Sequence, residues 1–153
     1  MTPKLRRLCV FFLLGASLAA CGARGPKMEN VQFPPLAPSV GRVYFYRASI
    51  FGNSIELSGR LNGQKVGDCK PYGVFFRDVQ PGAYQVTATV GNEPTRARSV
   101  TVAAGEEKFI RCSVLVPPNQ PGAVGDVTVV SKEEAREEMR GLAYTGKTSP
   151  RPQ

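Results

Sequence analysis

The chain has 153 residues, with 20 Lys and Arg against 12 Asp and Glu, a formal net charge of +8, and neither histidine nor tryptophan. The missing histidine excludes Ser-His-Asp and Cys-His nucleophiles, His-bearing zinc sites and the usual neutral-pH general base. The length suits one domain, and a basic excess of this size would raise nucleic acid as a partner if the protein were cytosolic.

In chain order, Lys4, Arg6 and Arg7 precede an unbroken apolar run over residues 8–14 that passes into small residues, the layout of a secretory signal peptide over residues 1–20. The run is short of the roughly 20 apolar residues a membrane-spanning helix needs. Leu18-Ala19-Ala20-Cys21 resembles the bacterial lipobox. The resemblance implies peptidase recognition of Leu18, Ala19 and Ala20, thioether attachment of a diacylglyceryl group to Cys21, and cleavage before it. An ordinary cleaved signal with a chance cysteine, or an uncleaved anchor, are the alternatives. Each buried methylene contributes about 0.8 kcal/mol and one chain alone binds marginally, so two or three acyl chains would make attachment effectively permanent. Gly22 stands where an inner-membrane retention Asp would stand, so the expected destination is the periplasmic face of an outer membrane.

Lys4, Arg6 and Arg7 leave with residues 1–20, so the remaining 133 residues carry 17 Lys and Arg against the same 12 acids, about +5. Export removes nucleic acid from reach. The basic excess then points to anionic head groups or cell-wall polymer, or simply to a soluble surface.

Residues 21–41 hold Pro26, Pro34, Pro35 and Pro38 with little hydrophobic periodicity and read as a tether carrying the lipidated cysteine. Such a segment reaches roughly 25 Å as coil and at most about 60 Å if fully extended. The domain is expected over residues 42–142. It opens with the strand-like run Arg42-Val43-Tyr44-Phe45-Tyr46-Arg47. Ile55, Leu57, Gly59 and Leu61 then alternate with polar residues, and Asn62-Gly63 predicts a type I′ turn returning over residues 64–67.

Residues 74–79 predict the next strand, ended by Gln80-Pro81-Gly82 as a type II turn with Gly82 left-handed. Tyr84, Val86, Ala88 and Val90 alternate in a further strand. Residues 96–102 and 108–116 read as a pair across Ala103-Ala104-Gly105-Glu106, the second apolar at both parities and so covered on both faces. Residues 117–125 form a Pro/Gly loop before a short strand at 127–130.

One helix is expected: Ser131 and Glu134 make a capping box, Ala135, Met139 and Leu142 share a narrow stripe suited to a sandwich edge, and Gly141 can end the helix. Residues 143–153 read as a disordered tail. The fold class is therefore all-β, an antiparallel sandwich or small partly open barrel of seven to eight strands with one short C-terminal helix.

Leu61-Asn62-Gly63 with Val66-Gly67, Tyr72-Gly73-Val74-Phe75-Phe76, Val79-Gln80-Pro81-Gly82-Ala83-Tyr84 and Ala104-Gly105 before a strand form a recognisable pattern. Over about residues 41–116 the chain resembles a family of small bacterial lipoproteins whose domain has no assigned function, and is similar to PEGA and transthyretin-like sandwiches. The resemblance implies a fold and an envelope location, and it brings no catalytic residues.

No constellation of catalytic or metal-binding residues emerges, and no cofactor is expected. Glu106 and Glu107 are neighbours in a turn and diverge. Cys69 and Cys112 form an even pair in an oxidising compartment, which favours a disulfide of about 4 kcal/mol over two buried free thiols. Tyr44, Tyr46, Arg47 and Tyr72 offer rings and a guanidinium that could stack on sugar or peptide, although without tryptophan the core also needs these rings. The expected function is a non-enzymatic, membrane-anchored envelope lipoprotein that acts as a structural or protein-interaction module. The alternative is a module binding cell-wall glycan or lipopolysaccharide. The expected partners are membrane lipid through Cys21 and an envelope protein or wall polymer.

Overall fold

Strand β1, Gly41–Arg47, is buried at every one of its seven positions. The structure, a computed structural model, describes residues 22–93, 95–119 and 121–146; Leu18, Ala19, Ala20 and Cys21 lie outside the described residues, as does the rest of the expected signal peptide. The further strands are β2 (Leu57–Leu61), β3 (Gln64–Asp68), β4 (Gly73–Val79), β5 (Gly82–Val90), β6 (Arg98–Val102), β7 (Glu107–Leu115) and β8 (Val124–Val130), followed by helix α1 (Lys132–Met139) and the short β9 (Ala143–Tyr144). They form a five-stranded sheet in the order β8-β7-β1-β4-β9 and a four-stranded sheet in the order β3-β2-β5-β6. This is the expected mostly antiparallel sandwich, with a ninth strand and two parallel pairs, β1 with β7 and β4 with β9.

The expected hairpin is present. Asn62 and Gly63 have φ of 48° and 78°, the two left-handed positions of a type I′ turn, and β2 keeps its alternation of buried Leu57, Gly59 and Leu61 with half-buried Ser58 and Arg60. Two predicted turns differ. Gly82 is not left-handed but begins β5, and β6 does not pair with β7. Both departures have one reason: β4 and β7 belong to one sheet and β5 and β6 to the other, so each link steps across the sandwich instead of closing a hairpin.

Between the sheets lies a core of Val43, Phe45, Leu57, Phe75, Val86 and Ile110 with their neighbours. Phe45 stacks on Phe75, its cross-strand partner, at 5.2 Å. A second core lies on the outer face of the five-stranded sheet, where Tyr44, Tyr46, Phe76 and Phe109 meet Ala135, Met139 and Leu142. Helix α1 therefore packs over the sheet face at β7, not at the sandwich edge as the narrow stripe predicts. Ser131 caps it as expected, its hydroxyl accepting from the Glu134 N–H at 3.2 Å, and Gly141 ends it with φ of 76°. Ala143 and Tyr144, expected in the tail, instead form β9 and are buried. Residues 147–153 lie outside the described residues.

The largest correction concerns the tether. Phe33 packs edge-on against Phe76 and Tyr144 at 5.1 and 4.9 Å, while Met28 and Val31 join the outer core. Backbone bonds run from Ala23 N to Pro71 O, from Met28 N to Leu142 O and from Tyr144 N to Pro26 O, each 2.8 Å. Residues 22–40 thus lie along the domain, because one helix stripe cannot cover the whole aromatic face. Native-state hydrogen exchange distinguishes the two states: the Ala23 and Met28 amides are expected to exchange far more slowly than in free coil. Phe33→Ala should speed both; coil-like rates in the unsubstituted protein would contradict docking.

Candidate functional site

The N-terminal segment meets the domain at its first described residue. A Cβ on Gly22 would stand 3.6 Å from the Pro71 carbonyl oxygen and 3.8 Å from the Tyr72 ring. Gly22 therefore lies against the β3–β4 loop. The Tyr72 backbone is itself unusual, a bulky residue at φ 53°. Such a conformation favours Gly or Asn and costs on the order of 1 kcal/mol or more for a large side chain.

Cys69 and Cys112 form a disulfide, with Cα atoms 6.3 Å apart. Cys69 follows the edge strand of one sheet and Cys112 lies in β7 of the other, so the bridge ties the sheets through the buried core. The 43-residue separation gives about 4 kcal/mol in the chain-entropy model.

The proposed stacking set of Tyr44, Tyr46, Arg47 and Tyr72 does not assemble. Tyr46 and Arg47 are 0% and 1% exposed, Tyr44 is buried, and Tyr72 alone faces solvent at 43%. The reason is the double-sided burial of β1. Tyr44 stacks on Phe109 at 5.0 Å, and its hydroxyl donates to Glu107 at 3.2 Å. The Tyr46 hydroxyl donates to Glu138 of α1 at 2.5 Å. Arg47 donates to the carbonyl oxygens of Phe51, Gly52 (2.8 Å), Ile55 (3.4 Å) and Cys69 (3.5 Å). Burial pushes its pKa down. Its role is to pin residues 48–56 from beneath, where those carbonyls replace the lost water.

A groove of about 300 Å³ opens where α1 and the docked segment meet the five-stranded sheet, lined by Met28, Glu29, Tyr44, Glu107, Phe109 and Arg136 among others. Of its two carboxylates, that of Glu107 is engaged. Glu107 accepts from Lys132 at 2.6 Å, so although burial pushes its pKa up, the Lys132 bond and charge together with Tyr44 hold it below the usual value. Glu106 faces elsewhere, accepting from the Ala103 N–H at 2.8 Å and pairing with Lys108 at 2.6 Å, so the adjacent acids diverge as expected. Arg111 binds Glu134 at 3.1 Å and Glu138 at 2.5 Å. These charges hold the helix to the sheet. The acids at i and i+4 on one helix face, Glu134 and Glu138, were the sequence signal for a cation opposite them. The groove can seat a small amphipathic group, and it presents no nucleophile with a base.

Residues 38–127, more than half of the chain, match the family model described as "Protein of unknown function (DUF2846)". No curated protein and no solved structure matches the chain. The matched span opens just before β1 and closes within β8, leaving out α1, β9 and most of the docked segment.

Two outcomes test this chemistry. Burial, then the Glu107 charge, raises the Tyr44 pKa to about 12, and burial raises that of Tyr46 further still. An unfolded phenol titrates near 10, so the stability tied to Tyr44 is full below pH 10 and is lost as pH rises from about 10 to about 12. Absorbance titration at pH 11 should show fewer phenolates than the five tyrosines until denaturant is added. Replacing both bridge cysteines, Cys69→Ser with Cys112→Ser, should lower the unfolding free energy by about 2–4 kcal/mol in urea melts.

Proposed function

The chain belongs to the DUF2846 family, and we propose that it is a lipoprotein of the bacterial cell envelope, anchored through acylated Cys21 on the periplasmic face of the outer membrane. Its sandwich serves as a non-enzymatic structural or protein-interaction module. The observation that carries the reading is the run Leu18-Ala19-Ala20-Cys21, which resembles a lipobox and precedes by one residue a segment that is hydrogen-bonded to the folded domain. A lipid on Cys21 would then hold the domain itself at the membrane.

The non-enzymatic part of the reading is supported by the engaged state of the charged side chains. The groove's Glu107 is consumed by Lys132 and Tyr44, the buried Arg42 by Asp78 in a two-pronged bond of 2.6 and 2.9 Å, and Arg47 by backbone carbonyls. The glycine-turn pattern of residues 41–116 supports a kinship with PEGA and transthyretin-like sandwiches as a finer reading of the same fold. The glycan-binding alternative loses its main support, since three of its four residues are core.

The test is metabolic labelling with radiolabelled palmitate. The unsubstituted chain should take up label and fractionate with membranes, and Cys21→Ser should lose both. Continued labelling of Cys21→Ser would overturn the anchor, and failure to recover any envelope protein by crosslinking, where a control lipoprotein succeeds, would overturn the interaction role.

A further inference from the structure

Five of the large apolar side chains that the domain leaves exposed stand at one end of the sandwich: Ile50, Phe51, Tyr72, Leu115 and Val116. The topology requires this. β1 and β7 run parallel and both finish at that end, while β4, antiparallel to β1, starts there with Gly73 opposite Arg47. Leu115 and Val116 leave the end of β7, residues 50 and 51 follow the end of β1, and Tyr72 precedes β4. These are three adjacent strands, about 10 Å across, and β7 runs on past the level of Arg47 to Leu115, alongside the loop that follows β1. A Cβ on Gly52 would lie 3.2 Å from the Val114 side chain, which sets the loop bearing Ile50 and Phe51 against β7 one residue before Leu115. Val129, the remaining large apolar residue exposed among the described residues, lies within β8.

Gly22 sits at this same end, against Pro71 and Tyr72. We propose that this end is a membrane-docking surface: Ile50, Phe51, Tyr72, Leu115 and Val116 enter the interfacial layer of the bilayer that holds Cys21. The proposal rests on the lipidation reading for its occupant, because a lipid attached one residue from Gly22 leaves bilayer as the surface nearest these side chains.

The end is built to hold these side chains outward. Arg47 fastens the Phe51 and Gly52 carbonyls to the buried end of β1, so Phe51 is 60% exposed above a fixed loop. Tyr72 keeps an aromatic ring in a backbone conformation that Gly or Asn would adopt more easily. An amphipathic ring at the head-group level is where Tyr is most favoured. Exposed Arg24, Lys70 and Arg96 stand on the loops of this end with exposed Glu56 and Glu93, a small basic excess, so the apolar tips carry most of the contact.

The absence of tryptophan makes the test direct, since a single introduced indole is the sole one in the chain. Full-length protein carrying Phe51→Trp, Leu115→Trp or, at the opposite end, Ala104→Trp is purified from bacteria. Each is placed in phosphatidylethanolamine and phosphatidylglycerol vesicles with and without lipids brominated near the head group. Intact mass reports acylation of the same samples. Indole emission from the Phe51→Trp and Leu115→Trp proteins should shift to the blue and be quenched several-fold more than that from Ala104→Trp. If the acylated Phe51→Trp and Leu115→Trp proteins stay unquenched, or if Ala104→Trp is quenched instead, the docking surface is overturned and the anchor stands. Quenching of the Phe51→Trp protein without any acyl mass overturns the anchor and supports the surface. Ile50→Ser with Phe51→Ser in the acylated chain should leave flotation with vesicles intact while a Leu115→Trp reporter loses much of its quenching; unchanged quenching there overturns the proposal.

Discussion

The central sheet must be covered on both faces, and most of the architecture answers that requirement. β1 places Val43 and Phe45 on one side and Tyr44 and Tyr46 on the other, all buried. β4 and β7 repeat the arrangement, with Phe75 against Phe76 and Ile110 against Phe109. The four-stranded sheet covers one face. The other needs a second layer, and the chain supplies it from both sides of the matched domain: Met28, Val31 and Phe33 from before it, and α1 with β9 from after it. Burying a side chain the size of Met139 or Leu142 contributes about 1.5–3 kcal/mol, so this layer is a substantial part of the stability.

Polar groups trapped by that layering are handled one by one. Arg42 lies over the Phe76 ring at 4.1 Å, grips Asp78 on the neighbouring strand, and donates to the Pro34 carbonyl at 3.3 Å, joining the docked segment to the sheet. Burial lowers its pKa, and the Asp78 and Tyr44 interactions more than restore it. Arg47, at the other end of the same strand, meets backbone carbonyl oxygens and is held by their number. The two arginines that frame the Val43 to Tyr46 run therefore fix opposite ends of the molecule, one closing the N-terminal segment and one shaping the exposed loop.

Much of the fold is legible in the sequence where local chemistry decides it. Asn62-Gly63, the Leu57-Gly59-Leu61 alternation, the Ser131 cap and the Gly141 stop each act over a few residues, and each is found. What the sequence hides is which sheet a strand joins. Gln80-Pro81-Gly82 and Ala103-Ala104-Gly105-Glu106 have hairpin composition, yet both cross between sheets, since turn residues bend a chain without specifying its next partner. The N-terminal segment misleads for a different reason: four prolines are interleaved with scattered apolar residues, Met28, Val31, Phe33, Leu36 and Val40, whose spacing sustains neither a helix nor a strand period. The outward parity of Tyr44, Tyr46 and Phe76 was the available clue, because such a face needs more cover than Ala135, Met139 and Leu142 provide. The same parity argument removes Tyr44, Tyr46 and Arg47 from any ligand platform and leaves Tyr72 apart from them.

Docking of residues 22–40 also changes what the proposed anchor can do. A free tether of that length would let the domain sample a shell roughly 25 Å deep and meet a distant partner. With Ala23, Met28 and Phe33 bound to the domain, that reach is gone, and the orientation of the sandwich is set by where Gly22 leaves it. With a lipid on Cys21, the end bearing Phe51 and Tyr72 would be turned toward the membrane, and the opposite end, with the Asn62-Gly63 hairpin, the Gln80-Pro81 link and the Ala103 to Glu106 turn, would be turned away. A protein partner in the anchored state would have to approach that distal end or the sides of the sandwich. Among the side surfaces, the groove between α1 and the docked segment is one concave feature whose walls come from both covering elements, so anything seated there would also sense whether the N-terminal segment is in place.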